Sequence, residues 1–200
     1  MPGSSKPRIK RGPGPSGKLN ARNLRKRALP HLLKDFERRC AYSMRHVQIA
    51  GGLLHMEIDH FNPTLKSRAR NAYSNLMLAT RLCNNIKKDA WPTPNDIAAG
   101  ARLLNPTVEM DYGEHIFEDP DTHKLVAMSP AGSYHIDVLD LNNETFVWER
   151  EKRATYAKLR GEYAATLSGS FDEFRDMLKT VNEVFDLLIP LIPAPPGKGN

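Results

Sequence analysis

Asp59 and His60 close the run Met56-Glu57-Ile58-Asp59-His60, and Asn84 follows in Cys83-Asn84-Asn85-Ile86-Lys87; these are the residue types in this chain that could do chemistry together. Between them lies Tyr73-Ser74-Asn75-Leu76. A carboxylate oxygen and an amide oxygen suit a hard divalent cation, which keeps several waters and needs few protein ligands. An imidazole titrates near neutral pH, with an unperturbed value of about 6.5, so it can take a proton from an attacking water. The cation stabilises charge that develops on phosphate and leaving oxygens. The chemistry this set suggests is phosphodiester hydrolysis, with His60 as base and one Mg²⁺ or Mn²⁺ held by Asp59 and Asn84. Singly, each residue has a structural reading: a solvated turn pair, a loop cap, a helix start. Their joint order and spacing favour the hydrolytic one.

The elements around them must bring these side chains to one surface. Met56 to His60 alternates apolar and polar, as a strand of period two would, with Glu57 and Asp59 on one face. Asn75-Leu76-Met77-Leu78-Ala79 reads as a second short strand. Thr80 is placed to cap a helix from Arg81 to about Lys88. A hairpin packed on that helix gathers Asp59, His60 and Asn84. Asn75, at the start of the second strand, is placed to tie the intervening loop by hydrogen bonds. Glu57 shares that face and reads as exposed, with a supporting place behind the metal site as the alternative. Arg81, Lys87 and Lys88 are candidates to contact nucleic-acid phosphates, against the plainer reading of a solvated face.

Asp59-His60, Asn75 and Cys83-Asn84-x-x-Lys87 together resemble the signature of HNH endonucleases, the ββα-metal superfamily. The likeness covers roughly residues 40–90. It implies that His60 is the general base, that Asp59 and Asn84 hold the metal, and that Asn75 is the structural middle residue. Asn84 stands where many members have a histidine, a variant similar to the HNH domains of CRISPR nucleases and phage junction resolvases. The implied substrate is DNA, and RNA is not excluded by any residue. Trp91-Pro92, Arg102-Leu103-Leu104-Asn105-Pro106 and Leu139-Asp140-Leu141-Asn142 resemble, more loosely, stand-alone bacterial HNH proteins of anti-phage systems that act beside an ATPase partner.

Many members of that family bind a structural zinc through two Cys-x-x-Cys pairs. Here those positions read Cys40-Ala41-Tyr42-Ser43 and Thr80-Arg81-Leu82-Cys83. Two thiolates do not make the closed four-ligand site that structural zinc favours, even if His46 is added. We expect no structural zinc, and Cys40 near Cys83 as small buried residues. His55, His115, His123 and His135 fall in no ligand spacing and are expected at the surface or in ordinary packing.

With 29 Lys and Arg against 23 Asp and Glu, the net charge of +6 suits an anionic partner. No apolar run approaches the roughly 20 residues of a membrane helix, and the N-terminus lacks a signal-peptide core. A cytoplasmic protein is the default.

The chain divides as follows. Residues 1–27, rich in Pro, Gly, Lys and Arg with no acidic residue, read as a flexible basic arm that could bind phosphate. Residues 28–100 read as the nuclease domain, entered by a helix from Leu24 to about Arg39 with Pro30 in its first turn or breaking it. Residues 101–142 read as a small strand and loop region, with strands at Ile116-Phe117-Glu118 and Lys124-Leu125-Val126-Ala127. A short helix from Asp96 to Leu104 would precede it. Residues 143–190 read as a helical region: one helix from about Asn143 to Leu167, then an amphipathic one opened by the capping box at Ser170-Phe171-Asp172-Glu173. Its stripe (Phe171, Phe174, Leu178, Val181, Phe185) suits core packing, with a homodimer or partner face as runner-up. Residues 191–200 form a proline-rich tail. The expected fold is α+β.

Overall fold

Met56–His60 forms strand β1, which pairs antiparallel with β2 (Leu76–Thr80) in a register that sets Asp59 opposite Met77 and His60 opposite Leu76. The second strand starts one residue later than its sequence pattern suggests. All its residues are buried, because helix α1 (Leu24–Asp35) and helix α3 (Arg81–Lys87) both pack against it. That is why Leu76-Met77-Leu78-Ala79 is a continuous apolar run rather than an alternating one. These features come from a computed structural model that describes residues 6–166, 179, 183 and 190–197. Among the described residues it is an α+β protein with six helices and two small antiparallel two-stranded sheets.

Helix α1 buries Ala28 and Leu32, with Phe36 buried at its C-cap. It ends at Asp35 rather than near Arg39, because Glu37 and Arg38 take positive φ values of 49° and 58° and turn the chain back. Pro30 lies inside the helix, not in its first turn; its ring is exposed and the helix forgoes one backbone bond there. The connection from β1 to β2 carries the four-residue helix α2 (Ser67–Arg70).

Downstream, helix α4 (Pro94–Ala98) starts and ends earlier than expected. Its start is set by a capping box, with Thr93 accepting from the Asp96 N–H and Asp96 from the Thr93 N–H, and by Pro94 in the first turn. The anticipated hairpin is present as β3 (Ile116–Glu118) and β4 (Leu125–Ala127). Helix α5 (Pro130–Val138) was not anticipated; Ser129 caps it and Pro130 opens it. A Cβ at Gly132 would lie 2.3 Å from the His115 carbonyl oxygen, so α5 can press on the hairpin only through a glycine. Helix α6 (Glu144–Thr166) agrees with the expected span, and its Arg153 makes a buried ion pair with Glu118 of β3. The amphipathic helix expected over about 170–189 lies outside the described residues, apart from two isolated positions. Of the tail, Ile192 is buried and the Pro193 carbonyl accepts from the Glu118 N–H.

The segment expected as a free basic arm is corrected by its own arginines. Arg8 forks onto both oxygens of buried Asp111 at 2.7 Å and donates to the Ala41 carbonyl at 2.6 Å. Ile9 is buried, and Arg11 donates to the carbonyls of Tyr73 and Leu76 between the rings of Phe36 and Tyr73. Internal acceptors therefore hold two of the cations that were expected to meet phosphate. The ordered unit begins in this segment, not at residue 28. No helix among the described residues is long and apolar enough to cross a membrane.

His135 of α5 is fully buried, and its Nδ1 accepts from the Leu104 N–H at 3.1 Å. Burial lowers its pKa to about 4, so the folded chain keeps it neutral. The unfolded chain takes up that proton near 6.5, so stability should fall as pH drops from 7 to 4, by roughly 3 kcal/mol from this residue. Urea unfolding at both pH values should show a smaller loss in His135→Gln; an identical loss would assign the acid sensitivity elsewhere.

Candidate active site

Thr80 ends β2 and its Oγ1 accepts from the Cys83 N–H, so α3 starts at once and doubles back against β1. That turn brings Asn84 beside Asp59 and His60. The three line one open cleft of about 550 Å³, together with Arg70, Lys88 and Asp89.

Asp59 is 4% exposed and heavily engaged. The Lys87 ammonium sits 3.1 Å from its Oδ1 and 3.0 Å from its Oδ2, and donates to the His60 carbonyl at 3.0 Å. The Tyr42 hydroxyl donates to Oδ2. Burial and the nearby carboxylate push the Tyr42 phenol well above its ordinary range, so it stays protonated and donates. Tyr42 is itself fixed, its carbonyl accepting from the Tyr112 hydroxyl at 2.6 Å. Lys87 thus departs from the expectation that it faces phosphate: its side chain is fully buried and braces Asp59. Lys88, exposed on the cleft rim, remains free to play the phosphate role.

Asn84 donates from Nδ2 to Glu57 Oε2 at 2.6 Å. Glu57 Oε1 in turn takes Arg81 Nε at 2.9 Å, and Arg81 also donates to the Leu54 carbonyl at 2.7 Å. Glu57 is therefore not simply exposed; it orients the amide, leaving Asn84 Oδ1 as its acceptor end. Arg81 is half-exposed but tied to Glu57, which sets it back from a purely phosphate-directed role.

His60 is partly exposed and its Nε2 lies 2.9 Å from Asn71 Oδ1. Asn75 is buried and staples the loop between the strands. Its Oδ1 accepts from the Asn62 N–H, and its Nδ2 donates to the carbonyls of Asn62 and Arg70. It acts on loop shape, as its place before β2 suggests. Cys40 and Cys83 are free, fully buried thiols hydrogen-bonded to each other; that bond and burial push the Cys83 thiol up. His46 is buried with its Nδ1 accepting from the Gln48 N–H, His55 is exposed, His115 meets Ser129 and His123 meets Glu118.

No protein-family model matches this chain, and no curated protein matches it. What speaks to function is therefore the cleft itself.

Among the described residues, no three His, Cys, Asp or Glu side chains converge as a metal-binding set. The cleft instead offers one carboxylate and one amide. A carboxylate has about four lone-pair sites; Tyr42 and the two Lys87 contacts use three, leaving one on Asp59 Oδ1. With Asn84 Oδ1 that makes two oxygen donors, a set that fits a hard cation retaining most of its waters.

Asn71, Tyr42 and Arg70 escaped the sequence reading. Asn71 and Arg70 lie in a stretch with no ligand spacing and Tyr42 in the Cys40-Ala41-Tyr42-Ser43 stretch weighed only for zinc, and only the fold brings them to the site.

Proposed function

We propose that this protein is a metal-dependent endonuclease of the HNH type that hydrolyses phosphodiester bonds in DNA. The observation that carries the proposal is the convergence of Asp59, His60 and Asn84 on one cleft whose rim also holds the cations Arg70 and Lys88. Asp59 and Asn84 would hold one Mg²⁺ or Mn²⁺, which supplies charge stabilisation at the scissile phosphate when bound. His60 removes a proton from the attacking water. Arg70 and Lys88 hold substrate phosphates by charge-assisted contacts. Lys87 and Tyr42 hold the Asp59 carboxylate in place, and Glu57 holds the Asn84 amide nitrogen so that the amide oxygen is left to accept.

One observation favours a second reading, a nucleic-acid-binding module that does not cut: the charge of Asp59 is already met by Lys87. Supercoiled DNA and a matched RNA incubated with Mg²⁺, Mn²⁺ or EDTA separate the two. The nuclease reading expects metal-dependent strand breaks, and in Asn84→Ala a Mg²⁺ requirement raised about tenfold or more. Wild-type metal dependence in that variant would remove Asn84 from the ligand set. Binding of DNA without cleavage of either substrate would favour the module.

A further inference from the structure

We propose that Asn71 is a positioning residue for His60, fixing the imidazole so that Nδ1 is the atom that takes the proton. This rests on the reading of His60 as the base. The Asn71 amide oxygen lies 2.9 Å from His60 Nε2. An amide oxygen can only accept, so Nε2 carries the ring hydrogen and donates it; the lone pair is left on Nδ1. The contact also removes the ring's freedom to flip, which would exchange the two nitrogens.

Asn71 can anchor the ring because its own loop is pinned on both sides. It follows α2 at the C-cap. The preceding carbonyl, of Arg70, accepts from Asn75 Nδ2 at 2.9 Å. The next residue, Ala72, donates its N–H to the Ala69 carbonyl and accepts from the Asn75 N–H at 2.8 Å. Beyond it, the carbonyls of Tyr73 and Leu76 accept from Arg11 of the N-terminal segment. The amide oxygen is thus presented by backbone held from three directions, while Lys87 holds the His60 carbonyl at 3.0 Å. Both ends of the His60–Asn71 pair are fixed before substrate arrives, which is what orientation of a catalytic base requires. Asn75, stapling this loop, acts on His60 through Asn71.

The test uses the full chain with Asn71→Leu, which keeps size and removes the acceptor, and Asn71→Asp, which keeps an acceptor in place. Nitrogen-15 shifts of the His60 ring report its tautomer without any need for activity. Cleavage of plasmid DNA at saturating Mg²⁺ reports kcat and KM. Asn71→Leu should turn a single Nε2–H tautomer into a mixture and lower kcat roughly tenfold to hundredfold, with KM and the unfolding midpoint unchanged. Asn71→Asp should keep the tautomer and recover most of kcat. If Asn71→Leu does not fold, Asn71→Ser, whose hydroxyl falls short of the ring, makes the same comparison. A single Nε2–H tautomer in the variants lacking the acceptor, or an undiminished kcat while His60→Ala is inactive, would overturn the assignment. Should His60→Ala itself cut normally, the base reading fails, and the tautomer readout still decides whether Asn71 orients the ring.

Discussion

His60→Ala should cleave DNA at least about a hundredfold more slowly than the wild-type protein, since a positioned general base contributes roughly 10²–10⁴ in rate. The fold should survive the change. His60 ends β1, is partly exposed, and its side chain bonds to Asn71; the contact to Lys87 comes from its backbone carbonyl and is kept by alanine. The metal oxygens assigned to Asp59 and Asn84 are also untouched. Initial cleavage rates, an unfolding curve and a Mn²⁺ titration on one preparation check all three statements. A variant that folds, binds Mn²⁺ and cuts at the wild-type rate would mean that another group takes the proton.

Lys87→Met should be the most destabilising single change near the cleft, by about 3–5 kcal/mol, because it leaves a buried carboxylate without its cation. The Lys87 side chain is fully buried, and its three donors go to the two Asp59 oxygens and the His60 carbonyl. Methionine fills much the same volume, so the loss is electrostatic rather than steric. Two further results separate this account from simple packing damage. Asp59→Asn combined with Lys87→Met removes both charges and should recover most of the lost stability. Divalent metal should also raise the unfolding midpoint of Lys87→Met more than that of the wild type, because the ion replaces the missing positive charge at Asp59. Urea midpoints with and without Mn²⁺ measure both. Equal destabilisation in the single and double variants would show that the ion pair is not what Lys87 supplies.

The ββα arrangement at the cleft was legible because three local signals agreed. Met56–His60 alternates, Leu76–Ala79 is apolar throughout, and Thr80 caps the helix that follows. Asn75 was readable from its place at a strand entry. Lys87 was misread because adjacent lysines usually lie on a solvated face; nothing local reveals that one of them turns inward to a carboxylate on another element. Glu57 read first as exposed, and its supporting place only as the alternative, since its partners Asn84 and Arg81 lie far along the chain. The N-terminal segment looked unstructured because its few apolar groups cannot order it alone. Its order comes from Asp111 and the Tyr73 and Leu76 carbonyls, contacts at a sequence distance no periodicity encodes. Helix α5 was masked by the strand-like alternation before it, although Ser129-Pro130 is a helix-start signal.

Cleavage of supercoiled plasmid by wild-type protein and His60→Ala, each in Mg²⁺ and in EDTA, decides whether this protein is a metal-dependent nuclease with His60 as its base. The wild-type protein should give nicked or linear DNA in Mg²⁺ and none in EDTA, and His60→Ala almost none under either condition. Equal cleavage by the two proteins, or cleavage that EDTA leaves unchanged, would contradict it.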